Sequence, residues 1–527
     1  MNYLNQLNQT ANADEFILTQ KEDMKKNLAG GVSFKADKFS SLNRWLFAGS
    51  FDNAFYETKE SITSANFDTL KDCITENPVK VAELILNASN KGTMKSQHTC
   101  ILALVFLSMG DEVAKNEYKR IFNSVVRTAS HLYEFVAYVK QFRGTGTIIK
   151  KSVNNWILNN KDLEYQFLKY QQRNTFSNRD ILRIFKPVPR NEVQDSLFSW
   201  VVGKEKPIHE SLKRIDIYEK LKLGQLSNKE VVDAIIDLGL TQEMIPSNIE
   251  RDESIWSALF LKMPITATLR NLPTLTRKGI LKGRMLNVLE ERFSKDNLQK
   301  SRLHPLEIAN ALKFYSSGGT LGKSKGEIYA PINFVVDLLD ESITNAFENV
   351  EPTGLNFFHA LDISGSMTMR ESGNLSLSPM EVETIMALST IKSEKDYFIG
   401  GFSNNFKPLD FFKRTSSLKD TFSNMNGLNF GGTNAGSAYK YAIDNKMFTD
   451  VFVFWTDNEN WSGSQPSQLL EEYRNRINPN VKAIYITLAP YSDNITLANP
   501  KDKLSFDIAG FSTDTPKLIS LLSSGSV

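Results

Sequence analysis

The sequence predicts a helical half over residues 1–345, followed by a doubly wound α/β domain over 350–527. Two observations lead there. Before residue 345, apolar residues recur at helix-length spacing and no alternating strand pattern of any length intervenes. After ENVEPTG (348–354), apolar strand-length runs alternate with amphipathic segments, the pattern of a parallel sheet wrapped by helices. A third observation concerns function. Three polar loops in the second half carry hydroxyls and carboxylates at points where buried strands run out.

In the first half, FDTLKDCITENPVKVAELILNAS, HTCILALVFLSMG and HLYEFVAYVKQF each read as helices separated by short polar or Gly-containing turns. Many short helices without one long amphipathic pair indicate a helical repeat array. No clean sequence period is visible, so any repeats are degenerate. In the second half, GLNFFHALDI reads as a buried strand. SPMEVETIMALSTIKS is a helix whose Ser-Pro is a start signal. DYFIGGFS is a strand and AGSAYKYAIDN a helix. TDVFVFWTD is a strand rich in β-branched and aromatic residues, SQLLEEYRNRI a helix and KAIYITLA a strand.

Composition narrows the function classes. At 527 residues the chain exceeds one ordinary core, which favours two or three domains. Its 41% hydrophobic and 23% charged residues are ordinary for a globular protein. Two cysteines, Cys73 and Cys100, make no disulfide framework, which favours a reducing, cytoplasmic setting. MNYLNQLNQTANADEF lacks the basic start and apolar core of a secretory signal. The longest apolar run, ILALVFLSM, is too short to span a membrane.

Net charge is +2, but it is unevenly spread. Residues 1–350 hold 47 Lys and Arg against 41 Asp and Glu, net +6; residues 351–527 hold 15 against 19, net −4. Residues 140–190 carry 11 basic against 3 acidic residues, and 262–302 carry 10 against 3. Two such stretches in one half fit an anionic ligand. They also fit solvated helix faces.

The oxygen-bearing loops are FHALDISGSMTM, with Asp362, Ser364 and Ser366; GGTNAGS (431–437), with Thr433 just before a helix; and FWTDNEN (454–460), with Asp457. In α/β sheets, ligand sites lie at the C-terminal ends of strands, so all three loops face one edge. Every donor is a hard oxygen, and no Cys or His joins them. Two carboxylates with hydroxyls suit Mg²⁺ or Mn²⁺ better than zinc.

DxSxS, a Gly-Gly-Thr loop and a Thr-Asp loop in this order resemble the metal-ion-dependent adhesion site of von Willebrand factor A domains. The resemblance implies Ser364, Ser366 and Thr433 as hydroxyl ligands. Asp362 and Asp457 then act mostly through water, and one position is left for an acidic ligand. The first half resembles the TROVE domain of the Ro 60 kDa autoantigen family through RWLFAGS (44–50), YQQRNTFSNRDILR (170–183), ITATLRNLPTLTR (265–277) and HPLEIANALKFYSSG (304–318). With the A domain behind it, the match runs nearly the full chain.

That resemblance implies a closed ring of HEAT-like helical repeats, a central hole for single-stranded 3′ ends of defective RNAs, and an outer surface for small structured Y RNAs. It places Lys169 and Arg173 at the Y RNA contact. Arg179 and Arg183 follow at spacings that let several of these cations share a helix face. Where the family often has a histidine shortly after this helix, RIFKPVP offers Lys186. The second basic stretch, with Arg270, Arg277, Lys278, Lys282 and Arg284, is implied to lie near the inner rim. In bacteria the family can pair with a 3′ exoribonuclease such as polynucleotide phosphorylase.

QFRGTGTIIKK (141–151) lacks the Gly-Lys-Thr of a nucleotide P-loop, though a phosphate nest is compatible with it. No catalytic set emerges from the five scattered histidines, so the expectation is a binding protein rather than an enzyme. The expected role is RNA binding in noncoding-RNA stabilisation and quality control. The alternative is a metal-dependent protein-interaction scaffold acting through the A domain.

Overall fold

A computed structural model describes residues 24–27, 31–48, 59–91, 97–173, 176–301, 303–320, 328–346, 352–368, 377–428, 431–488, 495–509 and 515–524. The stretch MNYLNQLNQTANADEF and most of ENVEPTG lie outside these residues, as does the Arg173 side chain. From Lys38 to Asn345 the described chain is a succession of short helices packed on sequence neighbours. Its core has two parts. One gathers Trp45, Leu104, Tyr118, Phe135 and Phe167 among residues 39–215. The other takes in Leu168 and the buried residues from Leu221 to Ala346, and continues without a break into the A domain, with Phe357, Met386 and Ile391.

The C-terminal domain is built on β5 (Asn356–Asp362), β6 (Asp396–Phe402), β7 (Phe406–Pro408), β8 (Val451–Thr456), β9 (Lys482–Thr487) and β11 (Ser505–Ala509), counting strands along the whole chain. The order across this six-stranded sheet is β11-β9-β8-β5-β6-β7. All neighbours are parallel except β7, an antiparallel edge strand that the sequence reading did not anticipate. Gly400 permits that hairpin, because a Cβ there would sit 2.1 Å from the Phe406 ring. Strand β5 lies centrally: the chain runs to β6 and β7 on one side of it and then to β8, β9 and β11 on the other, and this reversal of strand order opens a crevice at the C-terminal edge. The helix Pro379–Ser393 begins as expected, with Ser378 and Glu381 forming a reciprocal capping box.

The first half is not wholly helical. Strands β1 (Met24–Lys26) and β2 (Val32–Lys35) form a hairpin, and β2 pairs antiparallel with β10 (Ile495–Thr496) of the A domain. A second small hairpin joins β3 (Gln172–Arg173) to β4 (Phe176–Ser177). At the other end of the helical array, Lys313 Nζ lies 2.8 Å from Glu381 Oε1 of the A domain. Both ends of the array are therefore fastened to the same C-terminal domain, which closes it.

Two fully enclosed histidines make the fold acid-sensitive. His304 caps the helix Pro305–Ser316, its Nδ1 accepting from Leu306 N at 3.1 Å. His359 sits inside β5, Nδ1 facing Trp455 Nε1 at 3.4 Å. Burial pushes both imidazoles down to about 3. The unfolded chain, titrating near 6.5, then binds more protons than the folded one between pH 6.5 and 3. Stability is therefore complete above pH 6.5 and falls through that window. The expected slope is about 1.4 kcal/mol per pH unit for each histidine. Denaturant unfolding of His304→Asn, which keeps a capping oxygen but does not titrate, should show a shallower acid loss. A loss as steep as wild type would refute this role.

Candidate metal centre and basic surface

The three oxygen-bearing loops meet at the C-terminal edge of the sheet. Ser364 bridges to Gly431 in parallel fashion, and Gly365 N donates to Gly431 O at 3.3 Å. Trp461 N and Ser462 N donate to Thr433 O at 3.2 and 3.1 Å, tying the second loop to the third. Asn460 Oδ1 accepts from Ala435 N at 2.8 Å. Asp362, Ser364, Ser366, Thr433 and Asp457 are all buried. The Ser364 and Ser366 hydroxyls lie 3.0 Å apart. Asp362 Oδ1 accepts from Ser364 N at 3.0 Å, and its Oδ2 from the Thr456 hydroxyl at 2.8 Å.

Electrostatics follow from that burial. Loss of water, then the charge of Asp457, pushes the Asp362 carboxyl up to about 7, against the pull of the Ser364 and Thr456 hydrogen bonds. No Lys or Arg forms an ion pair with Asp362 among the described residues. Buried carboxylates flanked by hydroxyls form the charge pattern that a hard divalent cation neutralises, so the residues fit Mg²⁺ or Mn²⁺. Among the described residues, no three His, Cys, Asp or Glu side chains gather as a metal site, so an ion here relies on Ser and Thr.

Glu383 belongs to the same neighbourhood and was missed by sequence reasoning. Its Oε2 accepts from Asp362 N at 3.2 Å, and its Oε1 has no hydrogen-bond partner. Burial, then the Asp362 charge, holds its carboxyl well above the usual range. The available signal was an acid within the otherwise apolar run of SPMEVETIM, two positions past the capping glutamate.

The first basic stretch does not occupy one helix face. Lys169 ends the helix Leu163–Lys169, Arg173 is in β3, and Arg179 and Arg183 ride the next helix, Asn178–Phe185. The β3–β4 hairpin breaks the run, so only Arg179 and Arg183 share a face. Lys169 is half-buried, donating to Tyr165 Oη at 3.2 Å, with its ammonium over the Tyr165 and Tyr170 rings. Lys186 follows in a left-handed C-cap conformation, φ 47°. Arg179, Arg183 and Lys186 are exposed, and none makes an ion pair among the described residues.

In the second stretch, Arg270 and Arg277 lie on the helix Ile265–Arg277, with Lys278 at its cap. Arg270 and Lys278 are exposed. Arg277 is partly covered, with its guanidinium 5.9 Å from the Tyr329 ring centroid. Lys282 pairs with Glu253 at 2.9 Å, so part of its charge is answered within the protein. Thr145 lies in the turn before the helix Thr147–Asn159, without a strand ahead of it.

Comparison with known proteins matches the architecture along most of the chain. The TROVE domain family matches residues 30–230 and 236–328, and the Ro60 vWA domain family matches residues 356–523. The chain is similar to "RNA-binding protein RO60" of Caenorhabditis elegans, 27% identical over 95% of this chain and 90% of that protein. It is similar to the protein of the same description from Deinococcus radiodurans, 26% identical over 95% and 96%. The crystal structure of the Deinococcus radiodurans RO (RSR) protein shares the fold, with TM-score 0.66 and 23% identity. That likeness covers 93% of this chain and all of the other. A helical array matched to TROVE across more than half of the chain, closed through an A domain of the Ro60 type, places this protein in the Ro60 family of TROVE-domain proteins.

Proposed function

We propose that this protein binds RNA: small structured, Y-like noncoding RNAs on the surface around residues 169–186, and single-stranded 3′ ends of misfolded RNAs at the hole of the ring. Its role in this reading is noncoding-RNA stabilisation and RNA quality control, in the cytoplasm, with a 3′ exoribonuclease such as polynucleotide phosphorylase as partner. Binding proceeds by capture of phosphates and recognition of shape, with no covalent step. The observation that carries it is the set of exposed cations left unpaired beside the Lys169 position. Elsewhere on the surface, cations such as Lys220 and Lys440 are answered by carboxylates one turn away. Unanswered guanidinium groups pair readily with phosphate oxygens.

Changing Lys169 and Arg173 together to Ala should weaken binding of a structured small RNA more than binding of a free single strand. It should also lower the log–log salt slope by about 1–2, one phosphate contact per residue. Filter binding over a salt series checks this, and unchanged affinity in a folded double variant would remove the assignment.

A second reading has its own observation. The buried oxygen cluster supports a metal-dependent grip on an acidic group of a partner protein through Asp362, Ser364, Ser366, Thr433 and Asp457, with Mg²⁺ or Mn²⁺ as the ion. Ser364, Ser366 and Thr433 would hold the ion directly, and the carboxylates would orient its waters. The ion would supply the electrophilic anchor, and the protein would supply a rigid oxygen frame. This reading is compatible with RNA binding, because the cluster and the basic surface belong to different domains.

A further inference from the structure

Beside the basic surface, a cleft of about 290 Å³ opens between the helix Asn178–Phe185, the end of the helix Glu192–Val202 and the helix Lys213–Lys222. Its volume is at the small end of the range for ligand pockets, enough for one heterocycle. Two half-buried aromatic residues line it, Trp200 and Tyr218, with centroids 6.2 Å apart and planes at 88°. Glu219 fixes them. It accepts from Trp200 Nε1 at 3.1 Å and pairs with Lys222 at 3.1 Å, and Lys222 in turn lies 5.5 Å from the Tyr218 ring centroid. Arg179, exposed and without an ion pair among the described residues, lines the same cleft, as does Gln171.

Aromatic walls, an unanswered cation at the mouth and room for a single ring are the requirements of one unstacked base with its phosphate. We propose that this cleft receives an unpaired nucleobase of the bound RNA, stacked on the Tyr218 ring with its edge toward Trp200, and with the adjoining phosphate held by Arg179. Glu219 is a positioning residue, orienting Trp200 and Lys222. A peptide side chain is the weaker fit, because the cleft adjoins further unanswered cations, Arg183 and Lys186, that continue a phosphate track. The inference rests on the RNA-binding reading above and adds to it a site that takes a base rather than the backbone alone.

The test uses the full chain and two synthetic RNA hairpins, one with a single bulged adenine and one with the bulge deleted. Tyr218→Ala should weaken the bulged hairpin by about 5- to 150-fold, the range for a lost base–aromatic stack, and leave the bulge-deleted hairpin within twofold. Tyr218→Phe, which keeps the ring, should bind both like wild type. Arg179→Ala should lower the salt slope by about 1, whereas Tyr218→Ala should not change it. With 2-aminopurine at the bulge, fluorescence should be quenched on binding wild type and not Tyr218→Ala. Equal loss on both hairpins, or no loss on either, would overturn the cleft while leaving RNA binding in place. Failure of wild type to bind either hairpin would instead remove the RNA-binding reading, and the cleft with it.

Discussion

Arg44→Ala should destabilise the protein by about 3–5 kcal/mol, the range for breaking a buried ion pair from one side. Arg44 Nη2 lies 2.7 Å from Asp507 Oδ2, with the two side chains 8% and 14% exposed, so little water is present to replace the lost partner. Its Nη1 also donates to Ile495 O at 2.9 Å, in the strand that pairs with β2. One guanidinium thus ties the helix Lys38–Ala48 to two strands of the A domain. Its loss leaves a buried carboxylate without its counter-charge and frees the strap that closes the helical array. Urea unfolding measures the first effect, and hydrogen exchange at residues 32–35 and 495–496 the second. The Arg44→Ala, Asp507→Ala double variant should recover part of the stability, because no charge is then left stranded. A single variant within about 0.5 kcal/mol of wild type would show that the bridge contributes little.

Asp362→Asn should abolish the stabilisation of the protein by Mg²⁺ while leaving RNA affinity within about twofold. The substitution keeps the side-chain shape and removes one of the buried charges that a cation would offset; the remaining hydroxyls are weak ligands alone. With metal at about a hundred times its Kd, wild type should gain about 2.7 kcal/mol, and the variant none. In chelator at pH 8 the variant should be at least as stable as wild type, since like charges no longer face each other beneath the surface. Thermal unfolding with and without Mg²⁺, with RNA gel shifts beside it, reads all three quantities. If Asp362 only fastens the end of β5 to Thr456, the outcome is different: wild type ignores Mg²⁺ and the variant is weaker under both conditions.

The N-terminal hairpin and the oxygen cluster meet at one place in the molecule. The loop that carries Asp457 is clasped by the β1–β2 hairpin: Asn27 Nδ2 donates to Asn460 O at 2.7 Å, and the Ser33 hydroxyl to Asn458 O at 3.3 Å. Gly31 packs so closely that a Cβ would stand 2.0 Å from Asn460 O. The N-terminal strap and the oxygen cluster therefore share a wall.

Local periodicity is enough to write the A domain. The apolar runs ending in Asp362 and Asp457 become β5 and β8, and Ser378-Pro379 opens a helix, because strand, helix and cap preferences act over a few residues. The oxygen cluster was legible for the same reason: each loop directly follows a strand or precedes a helix, and parallel strands bring such loops to one edge. The basic stretches were legible as composition, but their arrangement was not. The β3–β4 hairpin is too short to show a period, and it separates Lys169 from Arg179. Sequence alone thus determined the helical and α/β halves, the order of the oxygen-bearing loops and the excess of positive charge. Tertiary structure alone decided that residues 32–35 pair with 495–496, that Arg44 meets Asp507, that Glu383 stands behind Asp362, and that Trp200 and Tyr218 flank Arg179. The physical reason is range: those contacts join segments that hold no local preference for one another, and only the burial of shared apolar surface brings them together.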